Sequence, residues 1–116
     1  MEKNTRVSLL LDFYGELLKP APREMITLYY NDDLSLAEIA EDVGITRQGV
    51  RDCIKRCEKQ LFELEEKLGL LDRFIQLENG LDEISRRAQA ITELTDDTEI
   101  RRLALDIQRS AAALKE

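Results

Sequence analysis

Residues 35–59, which read SLAEIAEDVGITRQGVRDCIKRCEK, constrain the fold of this chain more than any other stretch. Ser35 followed by Glu38 forms a capping box, a common start of a helix. Gly44 suits the end of that helix, because glycine adopts the left-handed conformation found there without steric cost. Thr46 can cap a second helix. Two helices joined by so tight a turn predict a helix-turn-helix.

Each of the two predicted helices has an apolar face. The apolar residues recur at three- and four-residue spacing, as in an amphipathic helix. They are Leu36, Ile39, Ala40 and Val43 in the first helix, and Val50, Cys53, Ile54 and Cys57 in the second. Ile45, which follows the turn, is expected to enter the core as well.

The polar face of the second helix carries the candidate binding residues. In helix-turn-helix complexes, side chains near the start of this helix contact base edges in the major groove. Arginine can pair with guanine through two hydrogen bonds, and glutamine can pair with adenine in the same way. The residues expected to read bases are Thr46, Arg47, Gln48, Arg51 and Lys55, and those expected to contact phosphates are Arg56 and Lys59.

The charge distribution both opposes and supports nucleic-acid binding. The formal net charge of the chain is −7, whereas DNA-binding domains are usually basic, because phosphate neutralisation supplies much of their affinity. Residues 44–60 nevertheless hold five basic and two acidic side chains, a net charge of +3. Residues 61–116 hold eight basic and thirteen acidic side chains, a net charge of −5. We therefore expect modest, salt-sensitive affinity.

The composition favours an all-α fold. Apolar residues make up 43% of the chain and charged residues 35%, which is typical of a folded helical protein rather than a disordered one. A first helix is predicted from about Thr5 to Leu18, because Pro20 disfavours helix at the preceding residue. A second is predicted to end near Tyr30. We expect a helix-turn-helix domain over residues 1–68 and a helical C-terminal extension over residues 69–116.

Three apolar runs in the second half of the chain have the spacing of a coiled-coil seam. They are Val50, Ile54, Cys57, Leu61, Leu64, Leu68 and Leu71, then Phe74, Leu77, Leu81, Ile84, Ala88 and Ile91, and finally Ile100, Leu103, Ile107 and Leu114. Asn79-Gly80 is expected to break the second run, and Asp97 or Thr98 to cap the third. These runs could pack within one chain or between two. We favour a homodimer, which would present two reading helices to two half-sites.

Catalytic and metal-binding functions find no support in the residues. The chain has no histidine, which excludes histidine-based acid–base chemistry, and its dispersed glycines form no phosphate-binding loop. Cys53 and Cys57 lack the further ligands of a metal site and are interpreted as buried apolar residues. We expect no enzyme activity, no cofactor and no metal. No signal peptide or membrane-spanning segment is recognised, which predicts a cytoplasmic protein.

The wider pattern resembles a known bacterial family. The segments LLDFYGELLKPAPREMITLYYNDDLS and NDDLSLAEIAEDVGITRQGVRDCIKRCEKQLFELEEKLGL are similar to the YlxM family of small bacterial proteins. The best markers are Tyr29-Tyr30, Asp32-Asp33 and residues 35–40, 46–48 and 54–56. Gly49 stands where the family pattern has an alanine, at a cost of about 1 kcal/mol of helix propensity.

The resemblance implies a fold and a cellular context. The family's helix-turn-helix is similar to region 4 of sigma factors, in the winged-helix-like DNA-binding class but without a wing. The family is associated with the signal recognition particle, because its genes lie beside those of the particle's GTPases. The resemblance therefore implies a nucleic-acid-binding regulatory protein of that pathway.

Alternative functions stay open at this point. The first is a DNA-binding regulator that reads sequence through the second helix of the motif. The second is an accessory of the signal recognition particle that contacts its RNA or its GTPases, without sequence-specific DNA binding. A third is a sigma-like contact with RNA polymerase.

Overall fold

Six α-helices and no strands occur in residues 1–115, which are the residues that the computed structural model describes. The helices are α1 Lys3–Tyr14, α2 Pro20–Tyr30, α3 Leu36–Val43, α4 Arg47–Leu68, α5 Leu70–Leu94 and α6 Thr98–Lys115, with a short 3-10 helix, Gly15–Leu17, after α1. The all-α fold expected from the sequence is confirmed. The chain divides into two compact units, residues 1–71 and residues 72 onward.

Prolines set the boundary between α1 and α2. Lys19 is extended, with a ψ of 149°, because the ring of Pro20 disfavours the helical conformation at the residue before it. Pro20 occupies the first position of α2, where the N–H that it lacks would be unpaired in any case. The predicted end of the first helix at Leu18 was too late, since α1 tightens into the 3-10 helix after Tyr14.

The core of the first unit forms around α4. This helix packs against α1, α2 and α3, and the four residues predicted to face inward from it are all buried. The largest side chains with less than 2% exposure in this unit are Tyr14, Leu10, Ile26, Ile39, Leu61, Leu71, Val7 and Val50. Burial of these apolar groups is the main favourable contribution to folding of the unit.

A buried polar network joins α1, α4 and the start of α5. The hydroxyl of Tyr14 donates a hydrogen bond of 2.6 Å to Oε1 of Glu65. The same carboxylate oxygen accepts the backbone N–H of Leu71 at 3.0 Å, and the Tyr14 oxygen accepts that of Leu70 at 3.1 Å. The first N–H groups of a helix have no partner within the helix. Glu65 and Tyr14 supply two such partners to α5, with a negative charge at the favourable end of the helix.

A left-handed glycine divides the first predicted seam. α4 ends at Leu68, and Gly69 has a φ of +63°, which glycine adopts without the strain that a Cβ would bring. Leu71 therefore lies in α5, and Leu68 is exposed. The prediction of one uninterrupted seam from Val50 to Leu71 was wrong, because the backbone turns between its last two members.

The second unit is a helical hairpin of α5 and α6. Asp97 caps α6, since its Oδ1 accepts the N–H of Ile100 at 3.0 Å, as predicted for one of two candidate caps. Gln108 of α6 donates from Nε2 to the carbonyl oxygen of Ser85 at 3.3 Å and to Oε1 of Gln89 at 2.9 Å. These bonds fix the pairing of the two helices.

The predicted break at Asn79-Gly80 does not occur, because α5 runs through both residues without interruption. A glycine within a helix costs about 1 kcal/mol relative to alanine. That cost is smaller than the cost of leaving several backbone groups of one helical turn unpaired.

Candidate nucleic-acid interface

Caps at three points fix the helix-turn-helix formed by α3 and α4. Oγ of Ser35 accepts the N–H of Glu38 at 3.1 Å, and the Glu38 carboxylate accepts the N–H of Ser35 at 3.1 Å. Gly44 has a φ of +82° and ends α3, as predicted. Oγ1 of Thr46 accepts the N–H of Gly49 at 3.0 Å and caps α4. The local sequence thus positions the first turn of α4 at the protein surface.

Ile45 lies at the surface rather than in the core, contrary to the prediction. Its side chain is 44% exposed. Its N–H and that of Gly44 both donate to the carbonyl oxygen of Ala40, at 3.2 and 2.9 Å, so the chain turns away from the apolar face of α3. The side chain covers Gly49 instead, with Cδ1 3.5 Å from the place where a Cβ at position 49 would lie.

The glycine at position 49 has a steric explanation. A Cβ there would lie 3.2 Å from Oγ1 of Thr46, which is tighter than ordinary van der Waals contact. The cap on α4 and a larger residue at this position therefore compete for the same space. An alanine at this position would require Oγ1 of Thr46 to shift by a few tenths of an ångström, which opposes the gain of about 1 kcal/mol in helix propensity.

A row of cations follows the exposed side of α4. Arg47, Arg51, Lys55 and Lys59 recur every four residues, so that they form one slowly winding row along about 18 Å of helix. We call these four residues the basic stripe. All four are exposed, as is Arg56 beside them. Within residues 1–115, none of the five side chains takes part in an ion pair or a side-chain hydrogen bond.

The two carboxylates among these cations are held by other groups. Oδ1 of Asp52 accepts a hydrogen bond of 2.9 Å from Nε2 of Gln48. Glu58 accepts a short hydrogen bond from the hydroxyl of Tyr30 and pairs with Nζ of Lys3 at 3.2 Å. The carboxylates could otherwise pair with lysines or arginines one helical turn away. Their engagement elsewhere leaves the basic stripe available for a polyanion.

Tyr30 and Lys3 are supporting residues that the sequence interpretation missed. Burial and the hydrogen bond to Glu58 raise the pKa of Tyr30 well above its ordinary value, so the hydroxyl stays protonated and continues to donate. Tyr30 belongs to α2 and Lys3 to α1, and only the fold brings them to α4. The pair of tyrosines at positions 29 and 30 was noted as a marker, but nothing in the pattern indicates its partner.

The seven predicted binding residues do not have equivalent surroundings. Arg47, Arg51, Lys55, Arg56 and Lys59 are exposed and unpaired within the described residues. Thr46 is committed to the cap on α4, and the amide of Gln48 is bonded to Asp52. These two would have to share or exchange a hydrogen bond in order to contact a base.

The cysteines lie on the opposite, buried side of α4 from the stripe. Cys53 and Cys57 are free thiols with 5% and 3% exposure. Burial raises the pKa of Cys57 to about 11, so the thiol is protonated at neutral pH and is a poor nucleophile. Among residues 1–115, no three His, Cys, Asp or Glu residues are placed to hold a metal ion.

The helices of the described chain also lack the length of apolar sequence that a bilayer would require. No helix within residues 1–115 combines sufficient length with sufficient hydropathy to span a membrane.

Comparison with known proteins connects the motif to a family. Residues 1–107 match the model of the UPF0122 family, a family of the YlxM / p13 type to which a helix-turn-helix is assigned. A UPF0122 protein of Thermoanaerobacter sp. is 44% identical over 108 residues, which cover 93% of this chain and 92% of the relative. A UPF0122 protein of Pediococcus pentosaceus is 42% identical over 95% of this chain and 96% of its own. One of Clostridium kluyveri is 51% identical over 69% of this chain and 72% of its own.

Proposed function

The chain belongs to the UPF0122 helix-turn-helix family, and on this basis we propose that it is a DNA-binding regulatory protein that acts through α4. The observation that carries the proposal is the basic stripe. Its cations are exposed and unpaired, while the neighbouring carboxylates of Asp52 and Glu58 are held by Gln48, Tyr30 and Lys3. A surface of unpaired cations on the second helix of this motif fits a polyanionic groove.

The position of each cation along α4 suggests how the binding is divided. Arg47 and Arg51 lie in the first two turns, where side chains reach base edges in helix-turn-helix complexes. Lys55 can reach a base edge from the third turn. Arg56 and Lys59 lie further along the helix and would contact phosphates, which position the protein without reading sequence.

Salt should weaken this binding steeply, given the charge of the whole chain. Each phosphate neutralised contributes about −0.9 to the slope of log K against log salt. The net charge of −7 opposes approach to any polyanion, so the stripe must act at short range, within about one Debye length of 8–10 Å at physiological salt. We expect specific binding to survive moderate salt and nonspecific binding to be lost.

A salt-titrated binding assay with purified protein tests the proposal. Fluorescence anisotropy or fragment retention would compare genomic DNA fragments with the RNA of the signal recognition particle. The double variant Arg47→Ala, Arg51→Ala should reduce binding to a retained duplex by more than about a hundredfold, since each bidentate pair discriminates by about 1–3 kcal/mol. The matched control is Arg101→Ala, Arg102→Ala, which removes the same charge from α6 and should leave binding within about twofold.

Equal loss in both double variants would assign the effect to net charge and contradict a specific role for α4. Unchanged binding in the α4 variant would contradict it as well. Circular dichroism would verify that both variants remain helical, as expected for exposed positions.

A second candidate function is an accessory of the signal recognition particle. The resemblance to the YlxM family supports it, and the acidic net charge favours a partner-assisted role over DNA binding by the protein alone. The same basic stripe would then contact the particle's RNA, or the acidic second unit would contact its GTPases. Preference for that RNA, or retention only after a GTPase is added, would establish this function and reject the DNA-binding one.

The proposal extends to the subcellular location of the protein and to its oligomeric state. A protein that binds bacterial DNA or the particle's RNA works in the cytoplasm, where we place it. We also propose a homodimer, because two copies of α4 related by a two-fold axis would match two half-sites.

A further inference from the structure

The contact between the two helices of the second unit buries three alanines and Leu81, and it leaves most of the larger aliphatic residues exposed. Ala88, Ala104 and Ala111 are 1–4% exposed, and they lie where α5 and α6 meet. Apart from Leu81, which is 6% exposed, the large aliphatic residues of the second unit keep part of their surface outside this contact. Those on one side are Leu77, Ile84 and Ile91 of α5 and Ile100, Leu103, Ile107 and Leu114 of α6, each between 39% and 67% exposed. We call these seven residues the hairpin face.

The hairpin face is continuous across the two helices. A groove between them is lined by Leu81 and Ile84 from α5 and by residues of α6 that include Leu103, Ile107 and Leu114. The α5 members recur every seven residues, and those of α6 are spaced three, four and seven apart. This is the pattern of helices that pack on further helices. The groove is thus a surface on which two further helices could pack to complete a four-helix bundle.

The size of the hairpin face is comparable to that of the largest apolar patches that single chains leave exposed. Seven half-exposed Leu and Ile side chains reach the roughly 300–600 Å² of the largest apolar patches on monomeric proteins. A stable interface of standard size needs about 800 Å² from each partner, with a polar rim around the apolar centre. The hairpin face could supply the apolar centre of such an interface and its charged flanks the polar rim.

The two outer flanks of the hairpin face carry opposite charge. At 100° per residue, Arg73 and Arg87 fall beside the apolar residues of α5, on the side away from α6. Glu99 and Asp106 fall at the corresponding positions of α6, and Asp106 lines the groove. In coiled-coil notation these are g positions, whose charges select the partner helix and its direction. Arg87 and Asp106 also pair with Glu83 and Arg109 of their own helices, but exposed pairs of this kind are weak, so α5 still suits a neighbour with the charge pattern of α6.

We propose that the hairpin face binds the hairpin face of a second copy of this chain, with α5 of one copy beside α6 of the other. A two-fold axis parallel to the helices produces this arrangement, because it places the basic flank of each α5 against the acidic flank of an antiparallel α6. The product is a four-helix bundle in which all neighbouring helices are antiparallel. The proposal specifies the contact surface of the homodimer and does not depend on DNA binding.

Sedimentation equilibrium of the full-length protein without nucleic acid tests this interface, with a pair of matched variants. Ile107 and Leu105 are both 44% exposed on α6, but Leu105 lies on the opposite side of the helix from the hairpin face. Ile107→Glu should raise the dimer dissociation constant by more than about a hundredfold, because each dimer would bury two unpaired charges. Leu105→Glu should leave the dissociation constant within about twofold.

A charge-reversal series tests which helices are neighbours. Arg87→Glu or Asp106→Arg alone should weaken the dimer by about threefold, as is typical of an exposed charge pair. The two together should restore the wild-type dissociation constant, because the flanks become complementary again. If the dissociation constant of the double variant rose by the product of the two single effects, the pairing of α5 with α6 would be contradicted.

A wild-type protein that stays monomeric at about 100 μM would overturn the proposal, as would equal effects of the two glutamate variants. Because both substitutions are on exposed positions, retained helicity by circular dichroism would show that the variants fold. Loss of DNA binding in the Arg47→Ala, Arg51→Ala variant with an intact dimer would leave this interface standing, so the two proposals fail independently.

Discussion

The two units of the molecule differ in the surface that each presents: a row of unpaired cations along α4 of the first and a continuous apolar face on the hairpin of the second. In residues 1–71, large apolar residues are buried around α4, and the four cations of the basic stripe are exposed and without ion pairs among the described residues. In the hairpin, most of the cations are paired, with Arg86 and Arg87 on Glu83, Arg102 on Glu99, Arg109 on Asp106 and Lys115 on Asp82. What the hairpin leaves exposed is the apolar hairpin face.

This difference separates two kinds of interaction. Unpaired cations in a row attract a polyanion, because binding releases counterions from the nucleic acid. Exposed apolar residues in a heptad pattern attract another helix, because association removes them from water. The proposed nucleic-acid contact therefore lies on the first unit, and the proposed protein contact lies on the second.

The largest expected effect comes from a cavity in the core of the first unit. Leu61 is fully buried on α4, so Leu61→Ala should lower the free energy of unfolding by about 3 kcal/mol. Leu105→Ala, at an exposed site on α6, should change it by less than about 0.5 kcal/mol. Urea denaturation of both variants measures the contrast. Similar losses of stability at the two sites would contradict the contrast between a buried apolar core around α4 and exposed apolar residues on α6.

Removal of the Tyr14 hydroxyl should have a smaller effect of the same sign. Tyr14→Phe leaves the N–H of Leu70 without its acceptor and removes one hydrogen bond from the buried carboxylate of Glu65. We expect a loss of about 2 kcal/mol in the free energy of unfolding, since unpaired buried polar groups cost about 1–3 kcal/mol. The control Phe13→Leu changes the adjacent, exposed ring. A loss no larger than that of the control would contradict a stabilising network.

Salt titration of DNA binding can compare the contribution of an unpaired lysine with that of a paired one. Lys59→Ala should reduce the slope of log K against log salt for a bound duplex by about 1, because one phosphate contact is lost. Lys115, by comparison, is paired with Asp82 on the hairpin, and Lys115→Ala should not change the slope. An equal change in both slopes would show that total charge alone governs binding.

The smallest effect is expected at Gly49, where two contributions oppose each other. Gly49→Ala adds about 1 kcal/mol of helix propensity but crowds Oγ1 of Thr46, so its net effect on the free energy of unfolding should be near zero. In a Thr46→Ala background the crowded oxygen is absent. There the same substitution should stabilise the protein by about 1 kcal/mol. Thermal denaturation of the four proteins measures this difference, and equal effects in both backgrounds would contradict the competition for space.

Much of the first unit could be predicted from its residues because the signals are local. The capping box at Ser35, the left-handed Gly44 and the cap at Thr46 each depend on neighbours within a few positions, and all three occur in the structure. Hydrophobic periodicity likewise identified the buried face of α4. The same local logic overextended α1 and placed Ile45 inside, since a pattern of apolar residues does not show the direction in which a turn leads the chain.

The sequence by itself determined the helices, the turn of the motif and the concentration of positive charge on α4. Only the tertiary structure decided which of those charges stay unpaired, because Tyr30 and Lys3 approach Glu58 from other helices. It also decided that three alanines and Leu81 form the buried contact of the hairpin. Periodicity marks an apolar side of a helix, but the distance to the neighbouring helix selects which residues fit between them. Alanines fill part of the limited space between α5 and α6, and most of the larger aliphatic residues stay exposed.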